Sequence, residues 1–291
     1  MVTRRLLMIG AGAGLMGLAG RSGAARALDS GLAHEFARLE GTIGARMGIA
    51  VIDTDGGTVA GHRADERFPL CSTFKWLAAA AILARVDAGR ENLDRRVRYA
   101  ASDLVPYSPV TKERVAEGMT LAEICEAAIT RSDNTAGNLM LAAIEGPAGL
   151  TAYARAVGDG ATRLDRTETA LNEAKPGDPR DTTTPAAMAA NLRALVLGTG
   201  LAPASRERLT GWLVANTTGG ARIRAGLPAG WRVGDKTGTG ENGTNNDVAV
   251  VWPPGRAPLV ICAYVTEPKS GFERCNAAIA GVARAVAASL A

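Results

Sequence analysis

Three short segments carry residues whose types and spacing suit acyl-transfer chemistry. In CSTFKWLAAAAILARV, residues 71–86, Ser72 and Lys75 stand three apart, and the run after Ser72 is apolar nearly all the way round. Such a run predicts a buried helix, and the spacing puts both side chains on one face of its first turn. A lysine there must be paired or lose basicity to desolvation. Either arrangement lets it take the proton of a neighbouring serine. The plainer reading makes Ser72 a helix cap and Lys75 a chain snorkelling to water.

The second segment is SDN, residues 132–134, between two helical patterns. A hydroxyl at Ser132 can relay a proton, and the amide of Asn134 can hold a carbonyl. A turn that satisfies its own backbone groups would use the same residue types. The third is GDKTGTGENG, residues 234–243, a strand running into a glycine-rich turn. Glycines inside a strand often mark the close approach of a ligand to the backbone. Alternation places Lys236, Gly238 and Gly240 on one strand face, and Thr239 on the other, where it offers its backbone N–H. Lys236 and Thr237 are then available to an anionic group.

RTETALN, residues 166–172, lies in a charged, proline-containing stretch without apolar periodicity. Loops of about twenty residues inside a compact domain are uncommon and usually functional or disordered. Glu168 and Asn172 are four apart, so one helical turn would set both on a single face. A carboxylate and an amide so placed can fix one water, and general-base assistance contributes about 10²- to 10⁴-fold. The bland alternative is a surface turn. The chain has two histidines, His34 and His62, and neither sits in the sequence context of a serine–histidine–aspartate site. If Ser72 is a nucleophile, its base is a lysine or a glutamate.

Taken together, SxxK, SDN and KTG in this order resemble the class A serine β-lactamases, which share the trio with penicillin-binding proteins. RTETALN, residues 216–231 and NDVAVVWP also match that family, so the likeness spans nearly the whole chain beyond residue 27. The resemblance implies that Ser72 attacks a β-lactam carbonyl and that Glu168, with Asn172, drives water onto the resulting ester. It leaves open whether Lys75 or Glu168 takes the serine proton. It further implies an oxyanion hole from the backbone N–H groups of Ser72 and Thr239. Lys236, Thr237, Gly238, Thr239 and Arg222 would bind the substrate, chiefly its carboxylate, Asn134 would hold its carbonyl, and Tyr107 would wall the cleft. No metal or organic cofactor is implied. Two disulfides found in some family members do not carry over, because Gly240 stands at the partner position of Cys71 and Ala79 at that of Cys125. The competing readings are a penicillin-binding DD-peptidase, a β-lactam sensor that acylates without turnover, and an exported binding protein without covalent chemistry.

The elements that must position these residues follow from pattern. Strand-like runs cluster at both ends of the chain, at 47–62 and at 231–240, 246–253 and 257–265, and mostly helical patterns lie between. Thr120 and Glu123 form a capping-box pattern, and Thr184–Pro185 begins a helix closing near Gly198. The expected fold is α+β, with a three-layer α/β/α lobe around a five-stranded antiparallel sheet and an inserted all-helical lobe. The sheet lobe takes residues 28–62 and 214–291, the helical lobe 63–213, with an Ω-type loop at about 164–183. A cleft between them suits a small-molecule site.

Residues 1–27 read as a removable twin-arginine export signal, with Arg4–Arg5, an apolar glycine-rich run and ARA at 25–27. Its GAGLMG at 12–17 matches a dinucleotide-binding pattern, but neither the required acidic residue nor further βα repeats follow. Removing the signal takes four arginines and no acid, so the net charge falls from +4 to 0. A nucleic-acid partner therefore has no charge argument. The expected product is a soluble, exported, periplasmic or secreted monomer without stable membrane association, acting on a small molecule. None of the four cysteines shows metal-ligand spacing, and Cys125 and Cys262 lie in apolar runs, as buried free thiols do.

Overall fold

A computed structural model describes residues 18–57 and 59–290, with side chains from Gly31 onward except at Val59. The twin-arginine pair and the GAGLMG segment lie outside the described residues. Along the chain, α1 (Leu18–Ile43) leads into β1 (Arg46–Asp53) and β2 (Val59–His62), then β3 (Phe68–Pro69) and α2 (Phe74–Asp87). The short strands β4 (Arg96–Val97) and β5 (Met119–Thr120) precede α3 (Leu121–Thr130), α4 (Asn134–Ala143) and α5 (Gly146–Ala156). After a long loop come β6 (Thr182–Thr183), α6 (Pro185–Leu192), α7 (Pro203–Val214) and α8 (Ile223–Gly226). The chain closes with β7 (Arg232–Thr239), β8 (Asn245–Trp252), β9 (Leu259–Thr266) and α9 (Phe272–Ala288). The expected signal cleavage point after Ala27 falls within α1.

The five-stranded sheet runs β2-β1-β9-β8-β7, antiparallel throughout. Chain-terminal strands meet at its centre, where β1 pairs with β9 in the register Ala50–Cys262. Strands from both ends of the sequence thus form the α+β sheet expected from their patterns. Both faces are covered, so all eight residues of β9 are buried. Side chains along it alternate between two cores. Leu259, Ile261, Ala263 and Val265 pack toward α1 and α9, with Phe36, Ile279 and Val282. Val260, Cys262 and Tyr264 pack toward α2, α6 and α7, with Trp76, Met188 and Leu209.

The local signals operate as the sequence implies. Glu123 N donates to Thr120 Oγ1 at 3.2 Å while Thr120 N donates to Glu123 Oε2 at 2.7 Å, a closed capping box. Thr184 Oγ1 accepts from Ala187 N, Pro185 occupies the first turn, and the helical run ends at Gly198. One expectation needs correcting: the inserted region is not all-helical. It holds two short ribbons, β3 with β6 and β4 with β5. Two-residue strands leave no alternation to detect, so pattern alone does not reveal them.

The long loop is closed at its neck by one buried carboxylate. Asp181 Oδ1 accepts from the backbone N–H groups of Asp165 at 2.8 Å and Arg166 at 2.9 Å, and Asp181 Oδ2 accepts from Arg166 Nε at 2.6 Å. Short side chain-to-backbone bonds of this kind stand in for secondary structure where none forms.

Candidate active site

A cavity of about 440 Å³ lies between the sheet edge and the helical region, lined by Ser72, Tyr107, Ser132, Asn134, Asn172, Thr218, Arg222, Thr237, Gly238, Thr239 and Phe272. Lys75, Glu168 and Lys236 sit beneath it, buried to between 0% and 4% exposure. Every site residue expected from the sequence therefore gathers at one place. A second cavity, of about 450 Å³, lies behind the long loop among Arg46, Arg67, Lys175 and Asp178, and no serine or cysteine lines it.

Ser72 occupies a 3₁₀ turn, Cys71–Thr73, that feeds directly into α2. The serine is not a side-chain cap; its hydroxyl points into the buried cluster. Lys75 Nζ donates to Ser72 Oγ at 2.9 Å, Asn134 Oδ1 at 2.7 Å and the Ser132 carbonyl at 2.9 Å, and lies 2.9 Å from Glu168 Oε1. The snorkelling alternative is thereby excluded, since Lys75 is fully buried. Burial pushes its ammonium below the usual lysine range, while Glu168 pulls it back up. Ser72 Oγ also lies 3.2 Å from Glu168 Oε1, so two proton acceptors reach one hydroxyl.

Ser132 comes from the link between α3 and α4, and Asn134 is the first residue of α4, which is capped by Asp133, whose Oδ1 accepts from Ala136 N. Lys236 Nζ donates to Ser132 Oγ at 2.9 Å and to the Thr237 carbonyl at 2.7 Å. Burial, with Lys75 nearby, holds Lys236 well below the usual lysine range. Asn134 Nδ2 donates to the Pro106 carbonyl at 2.8 Å, which spends one of its two N–H groups and ties down the segment bearing Tyr107.

Glu168 and Asn172 do meet, with Asn172 Nδ2 donating to Glu168 Oε2 at 2.5 Å. They do so without the α-helical turn their spacing suggests. Only Ala170–Glu173 forms a 3₁₀ turn, Glu168 precedes it, and the Glu168–Thr169 peptide is cis. Asn172 Oδ1 is buried without a partner among the described residues. An unsatisfied amide oxygen beside a carboxylate, at the edge of the cavity, is a fit place for a water to donate.

Arg222 departs from expectation. It is only 5% exposed, and all five of its N–H groups are directed at protein oxygens. Nε donates to Asn276 Oδ1, Nη1 to the Gly238 and Asn246 carbonyls, and Nη2 to Thr239 Oγ1 at 2.8 Å and Asn245 Oδ1. It lends charge to the cavity and holds Thr239, leaving no donor spare for a ligand carboxylate. Thr237 Oγ1 in turn shares a hydrogen bond with Thr218, a cavity residue the motifs do not flag.

Sequence reasoning also misses Asn138, which grips Glu168 by both backbone groups. Its Oδ1 accepts from Glu168 N at 2.8 Å and its Nδ2 donates to the Glu168 carbonyl at 2.9 Å. The available signal was its spacing of four from Asn134, which sets both on one face of α4. Gly137 is equally silent in the sequence. A Cβ there would lie 2.8 Å from Lys75 Cε, so any larger residue would push the lysine chain from its place. Three residues at the cavity adopt left-handed backbone, Cys71 (φ 44°), Tyr107 (φ 61°) and Ser132 (φ 55°). Such conformations cost on the order of 1–3 kcal/mol each and cluster at functional sites.

The remaining expectations concern cysteines and histidines. All four cysteines are buried and free, and a Cβ on Gly240 would meet Cys71 Sγ at 2.6 Å, which places the two positions side by side. His62 contacts Glu40, a carboxylate the sequence did not connect to it, and Arg63 shares that carboxylate. Neither His62 nor Glu40 hydrogen-bonds Ser72, Lys75 or Glu168. Among the described residues no group of three or more His, Cys, Asp or Glu side chains could hold a metal ion.

A serine whose hydroxyl touches a buried lysine and a buried glutamate, in a cleft at the edge of an antiparallel sheet, defines a serine acyl hydrolase. Comparison with known proteins narrows the class. The model of the β-lactamase enzyme family matches residues 31–290. The β-lactamase AST-1 of Nocardia asteroides is 55% identical over 255 residues, covering 88% of this chain and 82% of that one. The carbapenem-hydrolyzing β-lactamase KPC of Klebsiella oxytoca is 49% identical over 261 residues, covering 89% of each. Among solved structures, an ancestral (GNCA) class A β-lactamase is 63% identical with a TM-score of 0.87, covering 88% of this chain and 98% of that one. The chain belongs to the class A β-lactamase family.

Proposed function

We propose that the protein hydrolyses the β-lactam amide through an acyl-enzyme on Ser72, and that Glu168 and Asn172 supply the water that releases it. The observation that carries this reading is the convergence of Lys75 Nζ, Glu168 Oε1 and Ser72 Oγ within 3.2 Å of one another. In acylation the Ser72 proton passes to Lys75 or Glu168, and its oxygen bonds to the β-lactam carbonyl carbon. The ring C–N bond then breaks, the nitrogen takes a proton from Ser132, which Lys236 backs at 2.9 Å, and Ser132 recovers the proton that Lys75 or Glu168 took from Ser72. Backbone N–H groups of Ser72 and Thr239 receive the oxyanion; losing one such donor costs about 3–4 kcal/mol.

In deacylation a water fixed by Asn172 Oδ1 gives its proton to Glu168 as its oxygen attacks the ester carbon. Ser72 leaves with a proton returned from the same buried cluster, and the site is restored. Thr237 and Thr239, with the charges of Lys236 and Arg222 behind them, receive the substrate carboxylate. Tyr107 walls the cleft. The DD-peptidase and sensor readings share the first three motifs but need no water site, and the relatives found are named β-lactamases.

Residues 3–27 support export by the twin-arginine route, with a soluble product outside the cytoplasm. Among the described residues no helix is long and apolar enough to cross a membrane. The direct test is turnover: the purified protein is expected to hydrolyse a penicillin through many cycles. A stoichiometric burst without a steady state would return the assignment to the sensor or peptidase.

A further inference from the structure

We propose that Phe272 is a substrate-contacting residue that sets the preference among β-lactams through the substituent carried beside the ring carboxylate. The proposal rests on the β-lactamase reading above. Among the described residues two large hydrophobic side chains are exposed, Tyr107 at 63% and Phe272 at 53%. One exposed apolar side chain is ordinary. Here both line the same cavity, although they come from distant parts of the chain.

Phe272 opens α9, just after Gly271. Its ring has a defined neighbour, because the Arg222 guanidinium carbon lies 5.6 Å from the ring centroid, within cation–π range. Arg222 is itself immobilised by its five engaged donors, one of them on Thr239 Oγ1. The aromatic face therefore stands on the side of the cavity where Thr237, Thr239 and the Arg222 charge receive a carboxylate. In a cephalosporin the ring carbon next to the carboxylate-bearing one carries a variable group, whereas a penicillin carries two methyls there. A group leaving the ring at that point runs past Thr239 toward Phe272. A flat, neutral heteroaromatic substituent would stack on the ring, and aromatic pairs of this kind alter affinity by roughly three- to tenfold.

The test uses three substrates with one common acyl side chain: a cephalosporin bearing a heteroaryl-thiomethyl group beside the carboxylate, its plain methyl counterpart, and the penicillin. Phe272→Ala is expected to lower kcat/KM roughly three- to tenfold on the first and to stay within about twofold on the others, while Phe272→Trp keeps the wild-type preference. A uniform loss on all three would mean that the ring merely steadies Arg222, and would overturn the proposal. So would no loss on any. A wild type inert toward all three would instead overturn the β-lactamase reading itself, and the proposal with it.

Discussion

The two halves of the proposed chemistry are built in different ways. The acylation side, Ser72, Lys75, Ser132 and Lys236, hangs on α2, the α3–α4 link and β7, elements that the apolar core demands in any case. The deacylation side, Glu168 and Asn172, hangs on a loop with a single 3₁₀ turn, held by polar tethers at Asn138, Arg166 and Asp181. The first arrangement is positioned by burial of many side chains, the second by a few hydrogen bonds and two apolar anchors, Leu164 and Leu171. Loss of one tether should therefore damage deacylation selectively.

Asn138→Ala probes that contrast through the tether alone. It strips both backbone partners from Glu168, and each buried group left unsatisfied costs about 1–3 kcal/mol. Displacement of a catalytic group by about 1 Å can cost 10²-fold. With Lys75 as the base for Ser72, steady-state kinetics should show kcat and KM falling together by roughly tenfold or more, with kcat/KM nearly kept, because the acyl-enzyme accumulates while its formation is spared. A fall in kcat/KM of the same size would show that the tether serves both halves equally.

A smaller effect probes the acylation side through pH. Burial depresses the Lys236 ammonium, so its cation is present below that lowered value and lost as pH rises through it. The alkaline limb of kcat/KM should report this loss. Lys236→Arg keeps a guanidinium charged to beyond about pH 12, so the alkaline limb should move to higher pH while the acid limb stays. An unmoved alkaline limb would assign it to another group.

Much of this division is legible in the sequence, for a physical reason. Apolar periodicity, capping residues and glycine placement are local, so residue order alone discloses β9, the α3 capping box and the glycine-bearing β7. The three motifs lie on those elements and inherit their legibility. What stays hidden depends on distant contacts. Asn138 reads as one more polar helix residue until it meets Glu168, thirty positions on. Arg222 reads as a free cation until the backbone of β7 and β8 and two asparagines occupy its donors. Left-handed backbone at Cys71, Tyr107 and Ser132 leaves no trace in composition, since none is glycine. The two-residue ribbons are too short to carry a period.

The most direct test of the account follows the fate of the Ser72 ester when its water is no longer activated. Glu168→Ala, mixed with a penicillin and examined by intact-protein mass spectrometry, should gain the mass of one substrate on Ser72 and hold it. Its steady-state rate should fall by about 10²- to 10⁴-fold. Turnover at the wild-type rate with no lasting mass increase would contradict the assignment of Glu168 as the group that delivers water to the acylated serine.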